Sequence, residues 1–274
     1  MAFGFGRKMT YEEYDQSGQS HGVLWWICRV VVCVLVFGTI ALLLWRIFTS
    51  GDPADLRVLQ PNQPLADAYA AAREQGRDLD VYYCDDMLTY TAENGHRGYF
   101  FAQRVRFIED ASQVQLLLRY NNSTIRYLKE DYKLEEMPNR DDDLYDVTLY
   151  IAYDLTPEDP SDNGDVENPA AVKFVRIQPT SVRAEKKGLY NYRYFVFDGV
   201  DMTVKDTPVL AVFADIYYTG DVHYLEDAGG TQPYSALSLY NYSFEKTPYE
   251  LTNKERKALE EWIGAHSASE SARE

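Results

Sequence analysis

The chain reads as a mainly β protein, with an antiparallel, immunoglobulin-like β-sandwich carried behind a single N-terminal transmembrane helix. Short helical additions and a C-terminal helix complete the expected fold. Three observations predict it. One stretch, 23–48, is apolar for long enough to meet a bilayer. Beyond it about eight segments alternate apolar and polar residues between turn signals, with no interleaved strand–helix rhythm, so a parallel α/β sheet is the weaker rival. Those segments are rich in Val, Tyr, Phe and Thr, which suit a half-buried pleated surface.

Residues 1–22 are polar and aperiodic and read as a cytoplasmic tail, with no apolar run behind the capping-box spacing of Thr10 and Glu13. From Val30 to Trp45 every residue is apolar apart from Gly38 and Thr39. At 1.5 Å per residue, Trp26 and Trp45 stand about 28 Å apart along a helix, close to the hydrocarbon thickness of a bilayer. Trp25, Trp26 and Arg29 on one side, with Trp45 and Arg46 on the other, are therefore the expected membrane-interface residues. Arg29 lies within a turn of Trp26, where its guanidinium can snorkel to the headgroups; the sharper reading pairs it with an acid on a partner helix. Cys28 and Cys33 lie near this edge and are small helix thiols or palmitoylation sites.

Arg7, Lys8 and Arg29 precede the centre of the span, and Arg46 and Arg57 follow it. This narrow balance predicts a signal-anchor with the N-terminus cytoplasmic and the large domain extracellular at the plasma membrane. Cleavage near Thr49 or Gly51 is the alternative, opposed by the length of the apolar run and by Glu12, Glu13 and Asp15 in the leader.

Ser50-Gly51-Asp52-Pro53 and the pair Pro61 and Pro64 break the helix, so 49–63 reads as a linker to an extracytoplasmic domain over 64–264. Asn62 caps a helix over 64–75, with Pro64 in its first turn, Gly76 at its end, and Leu65, Ala68, Tyr69 and Ala72 on one face. Strands are expected over 79–84, 88–91 and 99–108, the last after the turn Asn94-Gly95-His96-Arg97-Gly98, with 114–120 as its hairpin partner. Ile125, Leu128 and Tyr132 have the spacing of a short helix behind Asn121 and Asn122. Residues 145–155 alternate cleanly, with Val147, Leu149, Ile151 and Tyr153 on one face. After an acidic loop over 156–169, further strands are expected at 172–178, 190–197, 209–218 and 236–244. Thr252 and Glu255 form a capping box for a helix ending near Gly264, and 265–274 reads as a disordered tail.

The formal charge of -16, with a pI near 4.7, excludes nucleic acid and anionic lipid surfaces as partners for the domain. Cys84 is the only cysteine outside the apolar stretch, so the domain is held by its core without an internal disulfide, a composition equally at home in the cytosol. The sequons at Asn121, Asn122 and Asn241 carry weight only in a glycosylating lumen.

Candidate chemistry is sparse. Asp221, His223, Glu226 and Asp227 gather one histidine and three carboxylates, yet their spacing matches no metal site and reads first as a solvated acidic loop. Asp159, Ser161, Asn163 and Gly164 imitate a calcium loop, but Ala170 stands where a bidentate Glu is needed; an irregular site with Asp141, Asp142 and Asp143 is the residue of that idea. Cys84 lies beside Asp85 and Asp86, which disfavour its thiolate. No catalytic residue, metal or cofactor is expected.

The 23 tyrosines say more. Leu189-Tyr190-Asn191-Tyr192 is echoed by Leu239-Tyr240-Asn241-Tyr242, and Tyr194 continues the first run. Tyr190, Tyr192, Tyr194, Tyr240 and Tyr242 are thus the candidate binding residues, since tyrosine offers a flat apolar face and a polar tip for stacking on sugar or protein. The competing account is β propensity alone. The expected function is a single-pass, membrane-anchored protein presenting a non-enzymatic binding domain to a protein or polysaccharide ligand, or serving as a subunit of an envelope assembly. A hydrolase working from 221–227, and a sensor signalling through Arg29 and the anchor, are the alternatives.

Overall fold

The structure is a computed structural model that describes residues 23–84, 88–90, 100–154, 172–202, 209–221 and 233–270. It divides into two units, Met1–Gly51 and Asp52–Glu274. In the first, α1 runs over Val23–Ser50, two residues beyond the expected end. Its segment Trp25–Trp45 is long and apolar enough to cross a membrane, with a mean hydropathy of 2.7 and no part of it buried.

The second unit holds eleven strands among the described residues, in two antiparallel sheets. In chain order they are β1 (Val81–Cys84), β2 (Leu88–Tyr90), β3 (Phe100–Ile108), β4 (Gln113–Asn121), β5 (Tyr145–Asp154), β6 (Val172–Ile177), β7 (Ser181–Lys187), β8 (Tyr190–Asp198), β9 (Val209–Tyr218), β10 (Ser235–Asn241) and β11 (Lys246–Pro248). The six-stranded sheet has the order β11-β1-β3-β4-β8-β7, and the five-stranded sheet β2-β10-β9-β5-β6. The expected hairpin of β3 and β4 is present, with Ile108 opposite Gln113 and a register shift between Ala102 and Arg104.

Alternation puts every second residue of each sheet into one shared core. Val114, Leu116, Leu118, Phe195 and Phe197 from one sheet meet Val147, Leu149, Ile151, Val212, Ala214 and Ile216 from the other. Phe100, Tyr120, Tyr145 and Tyr234 fill one region of it with edge-on and stacked rings 4.9–6.1 Å apart.

Helices α2 (Gln63–Glu74) and α4 (Asn253–Glu270) cover part of the outer face of the six-stranded sheet, and α3 (Asn122–Asp131) follows β4. Their caps are the ones the sequence offers. Asn62 accepts from the Leu65 amide at 3.2 Å. Gly76, at φ +72°, closes α2 with Arg77 N donating to Ala72 O at 3.1 Å. Asn121 and Thr124 make a capping box for α3, and Thr252 and Glu255 make one for α4.

Three expectations are corrected. Residues 52–62, read as linker, pack on the outer face of the six-stranded sheet. Leu56 closes a cluster with Leu117, Tyr192, Tyr194 and Val196, while Leu59 joins α2 and α4 in another. Gln60 N donates to Gln115 Oε1 at 2.9 Å and Gln115 Nε2 donates to Gln60 O at 3.0 Å, so a side chain of the central strand reads the backbone of this strap as a neighbouring strand would. Strand β7 was not expected, because Ser-Val-Arg-Ala-Glu-Lys-Lys carries the charges of an exposed sheet edge. Helix α4 continues past Gly264 to Glu270, since one helical glycine costs about 1 kcal/mol and the residues around it favour helix.

Glu255 locks these pieces together. It is 1% exposed and accepts from Leu59 N at 3.1 Å, Thr252 N at 2.9 Å, Thr252 Oγ1 at 2.7 Å and Tyr249 OH at 2.8 Å. Arg106, equally buried, pairs with it at 3.3 Å. Burial favours the neutral acid, but the bonds from Thr252, with the Arg106 charge and the Tyr249 hydroxyl, outweigh it and hold the carboxyl below its usual range. A depressed folded value stabilises the fold above the unfolded pKa, about 4.3, and that stability is lost as pH falls through the folded value. Glu255→Ala, which strands Arg106, is expected to cost about 3–5 kcal/mol in chemical denaturation at pH 7. The deficit relative to the unmodified protein should shrink below about pH 4.

Candidate functional site

The five candidate tyrosines do not form one surface. Tyr192 and Tyr194 lie on the outer register of β8 and are buried under the strap, where the Tyr194 hydroxyl donates to Gln115 Oε1. Tyr190, half-buried beside them, has the Arg119 guanidinium 4.4 Å above its ring. Tyr240 faces the shared core, and Tyr242 is 73% exposed. The repeated Leu-Tyr-Asn-Tyr therefore falls in different phases of the pleat. In β8, Asn191 points inward and Leu189 is exposed. In β10, a register shift between Ser238 and Tyr240 turns both Leu239 and Tyr240 to the core.

In α1, Trp25 and Trp26 pack edge to face at 5.3 Å and the Arg29 guanidinium lies 5.0 Å over the Trp25 ring. Trp45 is exposed, and the side chain of Arg46 lies outside the described residues. Cys84 is buried in the shared core. Of the 221–227 segment only Asp221 is described; His223, Glu226 and Asp227, and the whole 159–170 loop, lie outside the described residues. Among the described residues no group of three or more His, Cys, Asp or Glu is placed to hold a metal ion.

The site that does assemble lies where β8 meets β7. Register places Tyr120, Asn191 and Lys186 in one cross-strand row, and Leu118, Arg193 and Ala184 in the next. Both rows share the inward register of Phe195 and Phe197, so a polar group here is a departure from the core pattern. All of these except Leu118, together with Arg140 and Asp141 from the segment before β5 and with Glu185 and Tyr192, line a cavity of about 370 Å³.

Its frame is well bonded. Arg140 donates through Nε to Asn191 Oδ1 at 2.7 Å and through Nη2 to the carbonyls of Gly188 and Tyr190 at 3.2 and 3.1 Å. Arg193 donates to the Asp143 carboxylate and, at 3.0 Å, to Asp142 O. Lys186 pairs with Asp141. Asn139 accepts from Asp141 N at 3.2 Å, and Thr219 Oγ1 donates to Asp143 O at 2.6 Å, which fixes the 139–143 turn over the strand ends. Burial works against the Arg193 charge, but Asp143 and the neighbouring Tyr120 hydroxyl keep its pKa raised. Burial also pushes the Tyr120 hydroxyl upward, with Arg193 opposing.

Against this frame one side chain is left with an open valence. Asn191 is 3% exposed, its Oδ1 is taken by Arg140, and its Nδ2 is buried with no hydrogen-bond partner among the described residues. The Tyr120 hydroxyl beside it also lacks one of good geometry.

Two other groupings differ. A second cavity, about 330 Å³, is lined by Tyr83, Arg104, Arg106 and Tyr249; Arg104 pairs with Asp52 and Arg106 with Glu255, while Arg106 Nη1 is buried with no hydrogen-bond partner among the described residues. On the outer face of the five-stranded sheet Tyr150 and Tyr217 share a hydroxyl contact of 3.2 Å. Nearby, burial raises the Asp215 carboxyl to about 6 against the opposing Tyr217 hydroxyl and Arg176.

Sequence reasoning passed over Arg140, Lys186, Asn191 and Arg193 as site residues. One signal was present: in Tyr190–Asp198 the inward register reads Asn, Arg, Phe, Phe, and the first two do not belong in an apolar core. No family model, curated protein or solved structure matches this chain.

Arg193→Met is expected to release the 139–143 turn while keeping the volume in the strand. Limited proteolysis should then cut within 139–143, where the unmodified protein resists. Urea unfolding should show a loss of about 1.5–3 kcal/mol, the worth of hydrogen bonds to a buried charge.

Proposed function

We propose that the chain is a single-pass membrane protein whose α1 is an uncleaved signal-anchor and whose Asp52–Glu274 unit is a non-enzymatic binding domain on the extracellular side of the plasma membrane. The observation that carries the binding role is the β7–β8 cavity, a bonded frame around a buried amide group that has no hydrogen-bond partner among the described residues. A catalytic site would need a nucleophile or a base matched to its proton, whereas this wall offers amide, hydroxyl and guanidinium donors that hold a ligand in place.

The anchor reading rests on the length and hydropathy of Trp25–Trp45 and on Arg29 stacked against Trp25, an arrangement suited to the headgroup layer. The sandwich fills the role that immunoglobulin-like domains fill on cell surfaces, though with its own six-plus-five strand order. Its ligand is a surface polymer or protein, or a neighbouring subunit of an envelope assembly. The acidic charge of the chain leaves nucleic acid aside.

Protease added to intact cells that express the protein with a C-terminal tag tests this topology. The tag should disappear without lysis, and the chain should keep the Val23–Ser50 segment when its N-terminus is sequenced. Protection of the tag until the cells are opened would place the domain in the cytosol and end the proposal.

A further inference from the structure

Each sheet of the sandwich ends in two edge strands, and three of these four edges are guarded against pairing with another chain. In the six-stranded sheet β11 is three residues long and ends in Pro248, and β7 carries Arg183, Glu185, Lys186 and Lys187. In the five-stranded sheet β2 is three residues long. The fourth edge, β6, has none of these devices. It is six residues, Val-Lys-Phe-Val-Arg-Ile, with no proline or glycine, and it pairs with β5 without a register shift. Val172 and Phe174, which share the outward register with Arg176, are exposed, Phe174 by 62%.

Every second residue of an antiparallel strand turns its N–H and C=O away from the neighbour it already has. Among the described residues no strand pairs with β6 on the side away from β5. The core is open along the same side: Val182, on the inward register of β7, is exposed, and Val175 and Ile177, on that of β6, are half-buried. We propose that β6 is a homodimer edge, pairing antiparallel with β6 of a second copy about a two-fold axis through Val175.

The side chains of β6 select that occupant and that register. A two-fold axis normal to a sheet keeps each residue on its own face, so it passes through a residue and its copy and never between two residues. An axis through Lys173 or Arg176 would set like charges directly opposite each other, which destabilises a strand pair. An axis through Val172 or Ile177 would pair only the end of the strand. An axis through Val175 sets Lys173 against Ile177 and Phe174 against Arg176 in both directions, so an exposed ring meets a guanidinium twice. An axis through Phe174 would leave each Arg176 opposite Val172, with no ring from the copy.

The same axis suits two anchored chains. It crosses both layers of the sandwich, and the chain enters the unit at Asp52, which pairs with Arg104 on the outer face of the six-stranded sheet. Both copies therefore present their entry points on one side. A strand pair of this length is small beside the ~1,200 Å² or more that specific interfaces bury in solution, and confinement to one bilayer supplies the effective concentration it lacks. The inference goes beyond the binding role and uses the anchored reading at this step alone.

Disulfide cross-linking in membranes from cells that express the full chain is the test. Cys28 and Cys33 are replaced by Ser, Cys84 stays because it is buried, and one cysteine is introduced as Val175→Cys or as Lys173→Cys. Opposed residues of an antiparallel pair have Cα atoms about 4.5–5.5 Å apart, within disulfide reach, whereas Lys173 and its copy would stand roughly 14 Å apart. Oxidation with copper phenanthroline should convert Val175→Cys to a dimer that a reducing agent returns to monomer. Lys173→Cys, at a more exposed position, should cross-link at least tenfold less. Phe174→Lys added to Val175→Cys sets a lysine opposite Arg176 of the copy and should lower the cross-link at least tenfold. Its thermal unfolding should stay within a few degrees of the parent, since Phe174 is exposed.

The proposal is overturned if Val175→Cys stays monomeric, if Lys173→Cys cross-links as well as Val175→Cys, or if a folded chain with Phe174→Lys cross-links unchanged. These readouts are the same on either side of the membrane, and recovery of the chain in the membrane fraction checks the anchor separately. A failure of the dimer edge is thereby distinguished from a failure of the anchored topology.

Discussion

A single buried carboxylate, that of Glu255, holds together three parts of the domain that are far apart in sequence. It caps α4 through Thr252, anchors the strap through the Leu59 amide, and neutralises Arg106 on the central part of the six-stranded sheet. Arg106 in turn donates to Arg57 O at 2.8 Å and lies 4.6 Å over the Tyr249 ring. Removing two charges from water costs several kcal/mol for each, so such a pair persists only where further hydrogen bonds surround it. Those bonds come from the strap and the α4 cap, which makes the ion pair and the chain around it mutually dependent.

The consequence reaches the candidate site. Because the strap, α2 and α4 close the outer face of the six-stranded sheet, the tyrosines of β8 that face it are packing residues. The opposite register of the same strand carries Asn191 and Arg193 to the β7 edge, where the 139–143 turn lies over them. One strand thus divides its work between two faces. The outward face binds the domain to its own N-terminal segment, and the inward face ends in the β7–β8 cavity.

Local signals were legible wherever the physics is local. The caps at Asn62, Gly76, Asn121 and Thr252 depend on neighbours within a few residues, and the alternation of 145–154 depends only on the pleat. What was not legible depends on distant partners. Residues 52–62 have the composition of a linker, and they are ordered by Gln113, Gln115 and Glu255, none of which the local pattern of the strap announces. Strand β7 has a charged composition because it is an edge, and it is a strand because β8 pairs with it along its whole length. Tyrosine content showed that surfaces rich in Tyr exist, but alternation cannot say which of two faces is covered. The inward register of β8 was readable by parity, and an Asn and an Arg ahead of two phenylalanines there point to the cavity before any coordinates.

The domain begins at Asp52 and is closed by the strap through Glu255 and Gln115. The decisive comparison is between the thermal unfolding of a chain beginning at Asp52 and that of one beginning at Gln63. Without the strap, Leu117, Tyr192 and Tyr194 lose their cover and the Arg106–Glu255 pair opens to water, so the shorter chain should melt lower by roughly 10 °C and less cooperatively. Equal melting of the two chains would contradict the account and return 52–62 to the status of a linker.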